Sequence, residues 1–280
     1  MRNLLSANLL RLRKSHLFWG TLALSFGFGV WVAVSQVLEQ MQYGGFEDSP
    51  AFSRYTSAVG IVIAVFVSLF FGTEYSDGTI RNKLITGQSR ISIFLADLIT
   101  ASVCSMLFSI AYLIACFAVG APFMSTGLLR HLETQPTVFA LTIVGSLVLT
   151  LAYSALFLLI TLNCARKTTS AVVCILGAFI LLMVGIYLNG RLEAPEYITG
   201  YELNVDGQVV PAEPELNPGY LQGTKREVYQ FLYDFTPGGQ TVQYSMVAAG
   251  NLHLMPLYSL IILIVSTGAG AALFRRKDLK

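Results

Sequence analysis

A group of charged and hydrogen-bonding side chains stands between two apolar stretches, in residues 73–90. Asp77 can cap a short helix that ends at Gly87, because Asp favours the N-cap and Gly the position after the last turn. The predicted helix has an apolar side, formed by Ile80, Leu84 and Ile85. Its polar side is formed by Arg81, Asn82 and Lys83. A short amphipathic helix of this kind can dock into a groove on a soluble partner; the alternative is a solvated basic loop that only sets the membrane orientation.

The residue types that usually carry catalysis or hold a metal ion are scattered. His16, His131 and His253 each lie near the end of an apolar stretch, with no second His or Cys at ligand spacing. The sequence also lacks the common hydrolase, zinc-protease and phosphate-binding motifs. Asp97 is the only acid inside a predicted membrane span and lies near its end, whereas a charge at the bilayer centre costs about 2.5–3.5 kcal/mol. We therefore expect no catalytic residue, cofactor or metal in this chain, and a proton-coupled carrier is disfavoured for the same reason.

The composition indicates which elements position these residues. Of the 280 residues, 54% are hydrophobic and only 12% are charged, with a mean hydropathy of +0.63. Soluble domains carry about 25% charged residues, and a membrane-spanning helix needs about 20 mostly apolar ones. We predict an all-α polytopic membrane protein, a single domain over residues 1–280 with about six transmembrane helices. The six stretches are 17–38, 56–72, 91–119, 137–162, 170–188 and 255–274.

The distribution of basic residues predicts the orientation. If the N-terminus is cytosolic, most of the 18 Lys and Arg residues fall on the cytosolic side, as the positive-inside rule requires. Both termini are then cytosolic, residues 73–90 form a cytosolic loop, and residues 189–254 form an acidic extracytoplasmic loop. The first span resembles a signal peptide because basic residues precede it. Its apolar core is too long for a signal peptide, so we interpret it as an uncleaved anchor.

Residues 1–16 are predicted to form an interfacial helix. Leu5, Leu9 and Leu12 recur at helical spacing beside basic residues, a pattern that suits a helix lying in the headgroup region. The alternative is an ordinary basic flank of the first span.

Within the external segment, Asp206-Gly207 predicts a hairpin, and the apolar residues of 225–235 have helical spacing. Thr236-Pro237-Gly238-Gly239 should then break the chain, and residues 240–249 should form a short helix that returns to the bilayer.

Small residues four apart indicate close helix packing, either within the chain or at a subunit interface. The pairs are Ser25 with Gly29 and Ser266 with Gly270.

A resemblance to a known family adds to this interpretation. The segment Glu74-Tyr75-Ser76-Asp77-Gly78-Thr79-Ile80-Arg81-Asn82-Lys83-Leu84 resembles the loop after the second span of ABC-type-two transporter permeases, the membrane subunits of bacterial exporters of drugs and antimicrobial peptides. The resemblance extends over the basic N-terminal helix, the six spans and the large external loop before the last span. Residues 236–240 also resemble that family's loop before the sixth span, and their similarity to the signature loop of ABC ATPases is interpreted as accidental. The long acidic outer loop departs from the family pattern.

The resemblance implies a transmembrane permease subunit of an ATP-driven ABC exporter in the bacterial cell membrane. Its loop would form a coupling helix that binds a separate ABC ATPase subunit, and a second permease chain, identical or related, would complete the transporter. ATP and Mg would bind to the partner ATPase, and no nucleic acid partner is expected. The residues implied in ATPase binding are Glu74, Asp77, Gly78, Thr79, Ile80, Arg81, Asn82, Lys83 and Leu84. The sequence leaves a second hypothesis open: a non-transport sensor or assembly factor that uses its outer segment for recognition.

Overall fold

The computed structural model describes residues 1–43, 51–120, 134–164, 166–203, 209–211 and 213–276. Within these ranges, six helices are long and apolar enough to cross a membrane, which confirms the predicted fold class. In chain order the helices are α1 (Arg2–Arg13), α2 (His16–Tyr43), α3 (Tyr55–Ser76), α4 (Thr79–Ile85), α5 (Arg90–Gly120), α6 (Pro136–Asn163), α7 (Lys167–Leu192), α8 (Gly223–Phe235), α9 (Pro237–Met246) and α10 (Met255–Arg276).

The six spans α2, α3, α5, α6, α7 and α10 form one bundle. Helix α6 is central, since it packs against α3, α5 and α10, while α2 lies along α5 and α3 lies along α7. Helices α7 and α10 direct much of their apolar surface outward, as at Ile180 and Ile264. Apolar outward surfaces suit contact with lipid, where every backbone hydrogen bond must be satisfied within the helix.

Glycines permit two of the close helix contacts. A Cβ atom at Gly29 of α2 would lie 2.6 Å from the carbonyl oxygen of Tyr112 in α5. A Cβ atom at Gly270 of α10 would lie 2.5 Å from the ring of Phe94, also in α5. The glycine of each predicted pair therefore serves packing within the chain.

The segment between α7 and α8 contains two short antiparallel strand pairs. Strand β1 (Tyr197–Ile198) pairs with β4 (Glu215–Leu216), and β2 (Tyr201–Leu203) pairs with β3 (Val209–Pro211). The pairing of β2 with β3 confirms the predicted hairpin, although its turn, with Asp206 and Gly207, lies outside the described residues. The predicted helix of residues 225–235 is confirmed as α8.

One tyrosine fixes α8 to the bundle. Burial, together with the nearby carboxylates of Glu193 and Asp234, raises the pKa of the Tyr233 hydroxyl. The hydroxyl therefore stays protonated and donates a hydrogen bond to Asn189 Oδ1 of α7 at 2.5 Å.

Helix α9 corrects the sequence prediction for residues 236–249. The chain breaks at a single residue, Thr236, which ends α8 and caps α9 by accepting a hydrogen bond from Gly239 N at 3.2 Å. The helix therefore begins at Pro237, three residues before the predicted start, and its residues as far as Tyr244 are buried. This part of the outer segment lies inside the bundle against α3, α6 and α7 and is not a solvated loop.

The side chains after Thr236 explain why this motif suits a buried helix. A Cβ atom at Gly238 would lie 1.7 Å from the carbonyl oxygen of Leu181, so a larger residue would push α9 away from α7. Gln240 donates to the carbonyl of Asp234 at 3.0 Å and accepts from Ser259 Oγ of α10 at 2.5 Å. Thr236, Gly238 and Gln240 thus join α8, α9 and the spans.

Candidate functional site

The site is built around α4, the short helix between α3 and α5. Its predicted end is confirmed: Gly87 has a positive φ of 83°, Gly87 N bonds to the carbonyl of Leu84 at 2.9 Å, and Gln88 N bonds to that of Lys83 at 3.3 Å. This pair of bonds is the Schellman motif, which favours glycine.

The predicted cap of α4 by Asp77 is wrong. Gly78 occupies the N-cap position with a φ of 66°, and no side chain caps it. The reason is that α3 continues to Ser76, so that the Asp77 amide still bonds to the carbonyl of Thr73 at 2.9 Å. Asp77 therefore continues the hydrogen bonding of α3 and does not occupy the N-cap position of α4.

The side chains of α4 divide into an inward and an outward face. Ile80 is only 2% exposed, and Leu84 packs against the hydrophobic core. Ile85 is 74% exposed, and Arg81 and Asn82 are also exposed. The predicted apolar side is therefore split, because Ile80 and Leu84 hold α4 onto the bundle and only Ile85 points away from it.

Lys83 joins α4 to two spans through an ion pair with each. Its Nζ lies 2.8 Å from Glu74 Oε2 at the end of α3 and 3.4 Å from Asp97 Oδ1 of α5. Both carboxylates are buried, and the Lys83 side chain is 11% exposed. The spacing of Glu74 and Lys83 in the sequence thus brings two residues of the predicted site into direct contact.

Helix α1 supplies the remaining partners. Asn8 Nδ2 donates to Asp97 Oδ1 at 2.8 Å and to Thr100 Oγ1 at 3.3 Å, while its Oδ1 accepts from Lys83 Nζ at 3.2 Å. Arg11 forms an ion pair with Glu74 and donates to the carbonyl of Phe70. We call Asn8, Arg11, Glu74, Lys83 and Asp97 the ion cluster.

The ion cluster is balanced in charge, with two basic and two acidic side chains. Since its carboxylates are removed from water, each depends on its partners, and loss of one partner from a buried ion pair costs about 3–5 kcal/mol. Asp97 Oδ2 accepts no hydrogen bond from the described part of the chain, so Asp97 relies on Lys83 and Asn8. The arrangement fixes α1, α3, α4 and α5 to one another at one end of the bundle.

Sequence reasoning missed the role of α1 in this site. The side of α1 that is buried against the bundle consists of Leu4, Asn8 and Leu12, one residue per turn; of the apolar residues that predicted an interfacial helix, only Leu12 is among them. Leu9 is instead exposed. An asparagine in the apolar stripe of a helix is the signal that could have pointed to a buried polar partner.

Glu74 was predicted to lie in the cytosolic loop but is part of α3. Because α3 extends past it, Glu74 is a buried residue whose carboxylate contacts Arg11 and Lys83. Asp77, Gly78, Arg81 and Asn82 are exposed, and Thr79 is half-buried. The surface open to a partner is therefore narrower than residues 74–84.

Comparison with known proteins agrees with this architecture. The family described as ABC-2 family transporter protein matches residues 4–185, which include α1 to α6 and most of α7, and therefore the whole ion cluster. No curated protein compared with the chain matches it. Since the family covers more than half of the chain, the protein belongs to the ABC-2 transporter family and is a permease component of an ABC transporter.

Proposed function

We propose that this chain is the membrane subunit of an ATP-driven exporter in the bacterial cytoplasmic membrane and that it binds a separate ATPase through the outward face of α4. The observation that carries this proposal is the division of α4 into two faces. Ile80 and Lys83 fix it to the spans, while Arg81, Asn82 and Ile85 are exposed on its other side. A short helix with a fixed inner face and a free outer face can receive a force from a partner and pass it to the bundle.

The ion cluster supports a route for that force. Lys83 contacts α3 and α5 directly, so a displacement of α4 would move both spans together with α1. The other end of α3 contacts α9, since Thr56 Oγ1 donates to the carbonyl of Thr241 at 3.2 Å. A tilt of α3 driven at the α4 end would thus reach the opposite end of the bundle, as a transporter with two global states requires.

The partners follow from the same proposal. ATP and Mg would bind to the ATPase subunits, and two permease chains, identical or related, would share the transport path. The resemblance of residues 74–84 to exporter permeases supports the outward direction of transport. The basic residues near α1, α4 and the end of α10 support a cytosolic position for this end of the bundle, with both termini, and an extracytoplasmic position for residues 189–254.

The test of ATPase docking uses Ile85→Ala in the full-length chain. An anchor residue at an interface contributes about 2 kcal/mol or more, so we expect the affinity for the co-purifying ATPase to fall about 30-fold. The matched control is Ile264→Ala, because Ile264 is 67% exposed on α10 and far from α4 in the chain. Affinity is measured by titration of the purified ATPase onto the permease in lipid nanodiscs.

The outcomes separate the competing interpretations. Equal ATPase affinity for Ile85→Ala and the wild-type protein would contradict docking through the outer face of α4. Purification of the wild-type protein from native membranes without a stoichiometric ATPase would instead favour the sensor or assembly-factor hypothesis.

A further inference from the structure

A basic cavity lies beside the ion cluster, on the side of α7. It has a volume of about 500 Å³ and opens between the α1–α2 junction, the end of α3 and the start of α7. Its walls carry three basic side chains together with apolar side chains of the spans. The lining includes Arg11, Lys14, Leu17, Leu69, Phe70 and Lys167.

Two of the three basic side chains are not neutralised by any residue in the described ranges. Arg11 is engaged with Glu74 and lies over the Phe70 ring at 4.2 Å. Lys14 and Lys167 form no ion pair with any other residue that the structure describes. The cavity therefore carries about two positive charges that no described side chain of the protein balances, and such a site attracts an anion.

The position of Lys167 is set by close packing. A Cβ atom at Gly72 would lie 3.3 Å from both the Cα and the Cγ of Lys167, so the stem of this lysine lies directly on the end of α3. Lys167 lines the cavity from this position, at the N-terminus of a 26-residue helix. A long helix adds a favourable dipole for an anion at this end.

The remaining walls show that the cavity lies at the boundary between apolar and polar surroundings. Leu17, Leu69 and Phe70 come from the spans α2 and α3, while Lys14 belongs to the junction before α2. Trp19 is 54% exposed nearby on α2, and its ring nitrogen donates to the carbonyl of Arg13 at 3.0 Å. Exposed tryptophans of this kind are typical of the headgroup level of a membrane.

We propose that this cavity binds the phosphodiester headgroup of an anionic phospholipid, with Lys14 and Lys167 as the charged contacts. The apolar wall favours a lipid over a free phosphate compound, because the acyl chains can follow the outward surfaces of α2 and α3 from this depth. An acidic segment of a protein partner is disfavoured for a second reason. The face that we propose for the protein partner is the outward face of α4, which is formed by other residues. Basic pockets between transmembrane helices are known sites for acidic headgroups.

The experiment uses native mass spectrometry to measure the binding of phosphatidylglycerol and phosphatidylcholine to the full-length purified protein. The two lipids have acyl chains of identical length. Each basic side chain beside anionic lipid contributes about a factor of five in affinity. We therefore expect Lys14→Gln with Lys167→Gln to weaken binding of the first phosphatidylglycerol roughly 30-fold and to leave phosphatidylcholine unchanged. Lys14→Arg with Lys167→Arg should retain the wild-type preference.

A charge-matched control tests whether the effect belongs to this cavity. Arg275→Gln with Arg276→Gln removes the same charge at an exposed site at the end of α10, and it should leave the first phosphatidylglycerol bound with wild-type affinity. An equal loss in this control, or no loss in the Lys14 and Lys167 double variant, would overturn the proposal.

Two further outcomes distinguish other ligands. Inorganic phosphate or glycerol 1-phosphate that binds as tightly as phosphatidylglycerol, with the same dependence on Lys14 and Lys167, would assign the cavity to a soluble phosphate compound. Loss of the co-purifying ATPase in the double variant with unchanged lipid binding would assign it to a protein contact. Either result would overturn the lipid assignment.

Discussion

Replacement of Lys83 with Met should strongly destabilise the isolated permease. The substitution keeps most of the side-chain volume but removes the cation that lies 2.8 Å from Glu74 and 3.4 Å from Asp97. Glu74 would keep Arg11, whereas Asp97 would keep only the amide of Asn8 and would face a second buried carboxylate. An unpaired buried charge costs about 3–5 kcal/mol, a large share of the roughly 5–15 kcal/mol by which a folded protein is stable.

The assay is reversible unfolding of the permease in mixed micelles, without the ATPase, so that docking does not contribute. Lys83→Met combined with Asp97→Asn restores the charge balance, and we expect it to recover at least about 2 kcal/mol of the loss in a double-mutant cycle. Arg81→Met is the matched control, because it removes the same charge from the exposed face of α4 and should change stability by less than about 0.5 kcal/mol. A loss for Lys83→Met as small as that for Arg81→Met, or a double variant no more stable than Lys83→Met, would refute the ion cluster as a stabilising unit.

Two other predictions test the opposite end of the bundle. Gly238→Ala should destabilise the protein by about 1–3 kcal/mol, because its Cβ would overlap the carbonyl of Leu181. The control is Gly177→Ala in α7, which should be tolerated because no atom lies within 4 Å of the added carbon. Thermal unfolding of both variants checks this, and equal stability of the two would contradict close packing of α9. In a cysteine-free background, Glu215→Cys should react with an impermeant thiol reagent on intact cells, because Glu215 is exposed in the segment that we propose to be external. Labelling that requires cell lysis would contradict the proposed membrane orientation.

The spans and α4 could be predicted because their signals are local. Each span is a continuous apolar stretch, which only a helix can carry across a bilayer. The end of α4 depends on Gly87 and on two backbone hydrogen bonds within residues 83–88, so the whole motif is local in the sequence. The start of α4 was missed because it depends on how far α3 extends, and α3 extends to Ser76 since Glu74 is held by Arg11 and Lys83.

The ion cluster could not be predicted from the spacing of its residues. Asn8 and Asp97 are 89 positions apart, and Arg11 and Glu74 are 63 apart, so no local pattern links them. The sequence predicted only that Asp97 lies near the end of its span, although an acid in an apolar span requires a partner. Which partner it has depends on the packing of α1 against α5 and of α4 against α3.

This dependence on packing also explains why Lys83 faces the bundle and not the solvent. Taken by itself, α4 is an amphipathic helix with Lys83 on its polar side, which favours a solvated lysine facing a partner. In the folded chain the inner side of α4 meets two buried carboxylates, and Lys83 turns toward them while Arg81 remains outside. The cost of leaving Asp97 without a cation exceeds what an exposed lysine would contribute at the surface, where ion pairs are worth about 0–1 kcal/mol. The same balance leaves Ile85 and Arg81 exposed on the face of α4 that we propose as the ATPase contact.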